Sequence, residues 1–181
     1  MLGASGGVGM AALDVGRLLG ARLIAGARGG AKRGALLAYG ADAVIDTAQP
    51  FRDQIKALTE GRGADVILDP VGGAGFEEAT RCIAFGGRLL TAGFASGDTG
   101  ASVRANLLLI KAFSVMGVRA GEFARRYPAE GAAMRETIWR WAEEGRTRPA
   151  IHAVSPLTGW RDAFEQMRAG RLIGKFVFSM G

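Results

Sequence analysis

Short apolar runs alternate with helix-patterned stretches along this chain, and that alternation limits the fold more than any other feature. Candidate strands lie at 22–26, 43–46, 64–69, 88–93 and 113–119. The first four are short apolar runs ended by Gly, Asp or Pro, as expected of strands buried on both faces. Between them, residues 8–19, 31–39, 51–59 and 76–84 carry apolar positions three and four apart, the spacing of one helix face. A longer helix is predicted over 128–144, with Pro128 in its first turn and Gly145 beyond its end. Strand and helix in strict succession predict an α/β fold: a doubly wound parallel sheet with helices on both faces.

The chain has 181 residues, enough to bury a sizeable core without disulfides, and its lone cysteine, Cys82, can form none within the chain. The single thiol and the lack of a secretory leader point to a reducing, cytoplasmic setting. No stretch approaches the roughly 18 continuous apolar residues that span a bilayer, so no membrane partner is expected. The net charge of +6 is spread in small groups such as 28–33, 125–126 and 146–148, without a basic run interleaved with aromatics. That distribution favours the phosphates of a small ligand over nucleic acid.

The glycines, 29 in all, cluster where strands hand over to helices. The richest cluster, Gly3-Ala4-Ser5-Gly6-Gly7-Val8-Gly9, opens the first helical pattern. Residues without Cβ let the backbone turn sharply and approach a pyrophosphate, whose charge the free N–H groups of a helix start can hold. A strict G-x-G-x-x-G would place glycine at 4, 6 and 9; here Ala4 stands at the first position. Only Met1 and Leu2 precede the cluster, so the first and central strand is expected to be nearly absent, and the chain is expected to be a shortened form of a longer protein.

Several motifs then fall into one order: GASGGVG, GAxxVI at 40–45, GRGADVILDPVGG at 61–73, GGRLLTAGFASG at 86–97, NLLLIK at 106–111 and GKFVF at 174–178. In sequence and spacing the chain resembles the zinc-independent quinone oxidoreductase branch of the medium-chain dehydrogenases/reductases, and the resemblance extends over essentially the whole length. It implies a Rossmann-like dinucleotide-binding domain over 1–147, lacking most of its first strand. It also implies a tail over 148–181 that would return to an N-terminal catalytic domain not contained in this sequence. In that tail a strand at 148–154, a helix at 157–168 and a final strand at 175–180 are predicted.

The cofactor expected from the resemblance is NADP(H). Its phosphates would meet Ser5, Gly6, Gly7 and Val8 at the glycine turn. An NAD-selective site usually carries an acid after the second strand of the unit, whereas Ala27 is followed by Arg28, Gly29, Gly30, Ala31, Lys32 and Arg33. Arg28 and Lys32 are the candidates for a 2′-phosphate; Lys32 matches a lysine with that role in the family, and an arginine can grip phosphate bidentately. Where the family often has a tyrosine, this chain has Asp46-Thr47: Thr47 can donate one hydrogen bond but cannot stack, and Asp46 would repel a phosphate if it pointed inward. By resemblance Val71 and Gly72 belong to the cofactor site, Val71 near the adenosine or ribose, and Gly93, Phe94 and Ala95 lie near the nicotinamide.

No catalytic residue and no metal ligand is assigned. Cys82 and His152 are the only Cys and His, too few for a structural zinc, and both are expected to be structural. The hydroxyl of Ser5 lacks a partner for nucleophilic work and is expected to bond phosphate or cap the helix. Glu77 and Glu78 sit at a helix start, where acids complement the dipole. Two functions follow: the cofactor half of a reductase that passes hydride from NADPH to a quinone or an α,β-unsaturated carbonyl, or a catalytically inactive NADP(H)-binding or self-associating fragment. Segment 112–118 resembles the edge strand through which family members pair, so a homodimer is expected.

Overall fold

In a computed structural model of the chain, describing residues 1–180, the backbone of Met1–Ala4 fills the middle of the main sheet. On one side the Met1 nitrogen donates to Ile24 O (2.9 Å), Gly26 N donates to Met1 O (2.8 Å), and Ala4 N donates to Gly26 O (3.0 Å). On the other, Leu2 N donates to Leu68 O (3.0 Å). This short stub therefore joins two sets of parallel strands. The first is β1 (Ile24–Ala27) with β2 (Ala43–Asp46), paired from Ile24↔Ala43 to Ala27↔Asp46. The second is β3 (Ala64–Asp69), β4 (Ile83–Thr91) and β5 (Ser114–Gly117), with β4 in the middle. The order across the molecule is β2, β1, stub, β3, β4, β5.

Helices cover both faces, as the alternating pattern predicts. On one face α1 (Gly7–Leu18) and α2 (Gly30–Tyr39) bury Met10, Leu13 and Leu36 against Ala4, Ala25 and Ala27. On the other, α3 (Arg52–Leu58) and α4 (Ala74–Cys82) pack Ile55, Phe76, Ala79 and Cys82 over Leu2, Ile45, Ile67 and Leu89. Each large aliphatic side chain so removed from water contributes about 1.5–3 kcal/mol before conformational entropy is subtracted. α5 (Ala105–Lys111) leads into β5; α6 (Ala120–Arg126) and α7 (Pro128–Glu143) follow it. The tail forms its own two-stranded parallel sheet, β6 (Ile151–Pro156) with β7 (Lys175–Ser179), linked through a single 3-10 turn and α8 (Trp160–Arg168).

The strands expected at 43–46 and 64–69 match β2 and β3 residue for residue, and the main helices agree within two residues at either end. Other details differ: the strand expected at 22–26 lies at Ile24–Ala27, and the one expected at 113–119 is the shorter Ser114–Gly117. The strand expected to start at 88 begins at Ile83, because α4 stops at Cys82 and Ile83 already pairs with Ala64; the register then jumps to Val66↔Arg88 across an irregularity at Gly86 and Gly87. The tail strand expected at 148–154 lies at Ile151–Pro156. Neither α5 nor α6 had a counterpart among the helices read from the sequence pattern.

Candidate functional site

The glycine turn is shaped by a close approach of two backbones. A Cβ on Gly9 would stand 2.5 Å from Ala4 Cα and Ala4 O, so only glycine lets α1 lie this near the strand stub. The turn leaves α1 with its first N–H groups unclaimed: Gly6 is the N-cap, no side chain caps it, and the first turn contains no acid. Gly6 and Val8 are exposed and Gly7 is half-buried. Ser5 departs from one expectation. It is buried, its hydroxyl does not cap α1, and its carbonyl is held by Gly174 N at 2.8 Å.

At the end of β1, Ala27 is buried, Arg28 is exposed and Lys32 is half-buried in the first turn of α2. Neither cation forms a salt bridge among the described residues. Burial first, and the neighbouring Arg28 charge second, hold the Lys32 amine below its usual range. Two cations crowd together here, with no acid paired to either among the described residues. The third cation of the group, Arg33, behaves differently: its Nη1 lies 2.5 Å from Asp46 Oδ2. Asp46 Oδ1 accepts from Ala48 N at 3.0 Å. The Ala48 hydrogen bond and the Arg33 charge together hold the Asp46 carboxyl below its ordinary value. The acid that could have repelled a phosphate is therefore neutralised. Thr47 follows it, half-buried, with its methyl group against Gly26 and its N–H directed at Ala27 O (3.4 Å).

The turns after β3 and β4 are built against each other. Fully buried Asp69 accepts from Val71 N (2.7 Å) and Gly72 N (3.1 Å), which folds the chain back over the end of β3. Ala95 N donates to Pro70 O (3.0 Å) and Ser96 N to Val71 O (2.9 Å). Gly72 has φ +72°, and a Cβ there would stand 2.9 Å from the Phe94 ring. Gly93 fits under Pro70, where a Cβ would meet the Pro70 carbonyl at 3.2 Å. Val71 reaches the glycine turn, since a Cβ on Gly3 would stand 2.8 Å from Val71 Cγ2. Phe94 and Ala95 are exposed.

The anticipated residues are thus drawn to one edge of the sheet, where all of the parallel strands end. In open α/β sheets ligands bind outside the carboxyl ends of the strands, at the point where the order of strands reverses. Here that point is the stub between β1 and β3. The arrangement suits a dinucleotide phosphate: free N–H donors at α1, no competing acid in its first turn, and unpaired cations beyond β1.

Sequence reasoning missed three contributors. Asp69 shapes the Val71–Gly72 turn, and Asp98 lies beside the turn's glycines, its backbone oxygen 3.1 Å from a Cβ on Gly72 and its Oδ2 3.2 Å from a Cβ on Gly73. Lys175 lies against Gly7, with Nζ 2.7 Å from the position of a Cβ there. Asp69 and Lys175 carried a signal, their places in the GRGADVILDPVGG and GKFVF motifs; Asp98 carried none. The expected structural roles of the lone Cys and His agree with their settings. Cys82 is fully buried, and burial first and Glu78 second push its thiol up to about 12. His152 Nδ1 accepts from Ile173 N at 3.4 Å within the tail.

Comparison with known proteins places this geometry. Residues 7–136 match the zinc-binding dehydrogenase family. Quinone oxidoreductase-like protein 2 of Bos taurus is 33% identical over 180 residues, covering 98% of this chain and 51% of its own length. The chain thus spans about half the length of the curated relatives it matches. Among solved structures, an NAD-dependent alcohol dehydrogenase superposes with a TM-score of 0.83 at 30% identity, covering 99% of this chain and 50% of that one. The nucleotide-binding subdomain of the enoylreductase domain of PpsC from Mycobacterium tuberculosis is also 30% identical. Its TM-score is 0.69, with 81% of this chain and 82% of that one covered. With its Rossmann-like α/β fold and glycine turn, the chain belongs to the zinc-binding dehydrogenase family, as a counterpart of the nucleotide-binding half of medium-chain dehydrogenases/reductases.

Proposed function

We propose that this chain is the NADP(H)-binding module of a zinc-independent reductase acting on a quinone or an α,β-unsaturated carbonyl compound. The observation that carries the choice of NADP(H) is the pair Arg28 and Lys32, cations without an anionic partner beyond β1, with Asp46 neutralised by Arg33. A 2′-phosphate placed there would meet two positive charges and no free acid. The phosphate bridge would rest on the N–H groups of Gly7 and Val8 at α1, and Thr47 and Val71–Gly72 would flank the adenosine ribose. The bound cofactor would supply the hydride; Gly93, Phe94 and Ala95 would orient its nicotinamide.

Residues 1–147 make up the proposed dinucleotide-binding unit, and 148–181 the part that would complete a catalytic domain. The relatives named for quinone and enoyl reduction support the substrate class. We expect the isolated chain to turn over little or no substrate, because Phe94 and Ala95 stand exposed, with nothing among the described residues closing over them. The alternative is binding without catalysis, and the solved nucleotide-binding subdomain is a precedent for such a module standing alone.

Calorimetric titration of the chain with NADPH and with NADH tests the reading. Micromolar NADPH binding, with NADH much weaker, is the expected result. Equal affinities would remove the role given to Arg28 and Lys32, and binding of neither would defeat the proposal.

A further inference from the structure

The start of β7 lies against the glycine turn. Gly6 and Gly174 form an isolated parallel bridge, and Gly174 N donates to Ser5 O at 2.8 Å. The next residue, Lys175, is fixed through its own N–H to Ala150 O (2.8 Å) and sends its side chain over Gly7, the first residue of α1. Cδ of that side chain lies 2.6 Å, and Nζ 2.7 Å, from where a Cβ on Gly7 would stand. Any larger residue at position 7 would have to displace it. Gly7 is therefore needed for the lysine as well as for a ligand.

The ammonium has no salt bridge among the described residues. The nearest acid on α1 that faces the same hollow is Asp14, already engaged by Arg17 Nη2 (2.6 Å) and the Tyr39 hydroxyl (2.7 Å). A free cation is thus held at the positive end of a twelve-residue helix, an arrangement mildly unfavourable until an anion arrives.

We propose that Lys175 is a positioning residue for the pyrophosphate of the bound dinucleotide, clasping it against the N–H groups of α1 from the tail side. The assignment rests on the dinucleotide reading above. Because the pyrophosphate is common to both cofactors, Lys175 governs affinity without choosing between them, unlike Arg28 and Lys32. It also ties the tail to the cofactor, because the residue that grips the phosphate begins β7.

The test uses the full chain, titrated by calorimetry with NADPH and NADH, alongside Lys175→Met, Lys175→Gln and Lys175→Arg. A single charge-assisted contact corresponds to about a tenfold change in affinity. We expect Met and Gln to raise both dissociation constants by about that factor, with the NADPH-to-NADH ratio unchanged, and Arg to restore most of the loss. In amide exchange, nucleotide should slow the Gly174 and Lys175 amides of the unsubstituted chain and leave those of Lys175→Met faster. Unchanged or tighter binding by both neutral variants overturns the clasp, and tighter binding would show the lysine to be an obstruction. Loss confined to NADPH overturns it also, moving Lys175 to the 2′-phosphate. If the unsubstituted chain binds neither nucleotide, the dinucleotide reading falls and the clasp with it.

Discussion

The Arg33 guanidinium lies 2.5 Å from the Asp46 carboxylate and ties the first turn of α2 to the end of β2. Lys32 is its sequence neighbour, yet the two cations face different tasks. Arg33 satisfies an acid of the protein, while Lys32 is left for a ligand. Arg33→Ala should therefore weaken NADPH binding severalfold without any contact to the nucleotide, by freeing the Asp46 charge beside Thr47. Adding Asp46→Asn should restore the affinity, and a double-mutant cycle by calorimetry measures the coupling. The depressed Asp46 pKa also fixes a sign: its stabilising contribution is complete above the ordinary carboxylate value of 3.8 and is lost as pH falls through the lower folded value. The difference in urea midpoint between the single Asp46→Asn variant and the parent should narrow as pH is lowered from neutral through and below 3.8.

Lys32 makes a second prediction, with the opposite dependence. Its amine is held below its usual range by burial and by Arg28, so it loses its proton at a lower pH than an ordinary lysine. A 2′-phosphate needs the charged form. NADPH affinity should fall as pH rises toward the lysine range, earlier than for a solvent-exposed lysine, while NADH affinity changes little. In Lys32→Ala, NADPH should bind about tenfold or more weakly and that pH dependence should disappear. A pH-independent NADPH preference would count against the assignment.

Gly9 and Gly7 should respond differently to alanine. At Gly9 the new Cβ meets backbone, Ala4 Cα and O at 2.5 Å, so α1 must move from the strand stub. Gly9→Ala is expected to cost about 1–3 kcal/mol in chemical denaturation. At Gly7 the new atom meets the flexible side chain of Lys175, which can swing away. Gly7→Ala should leave stability nearly unchanged and reduce nucleotide affinity.

The Tyr39 hydroxyl donates to the buried Asp14 carboxylate at 2.7 Å, and burial first, then Asp14, push the phenol up to about 12. This raised pKa contributes stability that is present in full below the usual value of 10.0 and is lost as pH rises through about 12. Tyr39→Phe should lower stability by about 1.5–3 kcal/mol at neutral pH, the value of a hydrogen bond to a charged acceptor. The deficit should vanish in strong alkali, as followed by circular dichroism alongside phenolate absorbance.

A homodimer through β5 is proposed from its open edge. β4 pairs with it on one side, and Val115 and Met116 remain exposed. Met116→Lys should shift a dimer toward monomer in light scattering, since a charge on an edge strand opposes pairing. A parent chain that is monomeric at high concentration would refute this.

Local order was legible because strands buried on both faces and helices with one apolar face leave distinct periods in the chain. The glycine turn, β2, β3 and the bounds of α1 and α2 follow from residues adjacent in sequence. Arg28 and Lys32 could be singled out because no acid stands near them in the same loop. What the chain alone could not reveal concerns groups distant in sequence. Arg33 and Asp46 are neighbours only because β1 and β2 pair in register from Ile24↔Ala43 to Ala27↔Asp46. Asp69 reads as the end of a strand until its buried carboxylate is seen holding the next turn. Lys175 stands at the glycine turn only because the tail returns to pair Gly174 with Gly6. Sequence by itself determined which segments are strands, helices and sharp turns, because those preferences are set by side-chain period and glycine freedom. Tertiary structure alone decided which charges neutralise one another and which are left for a ligand, because Coulomb and hydrogen-bond energies depend on separation in space.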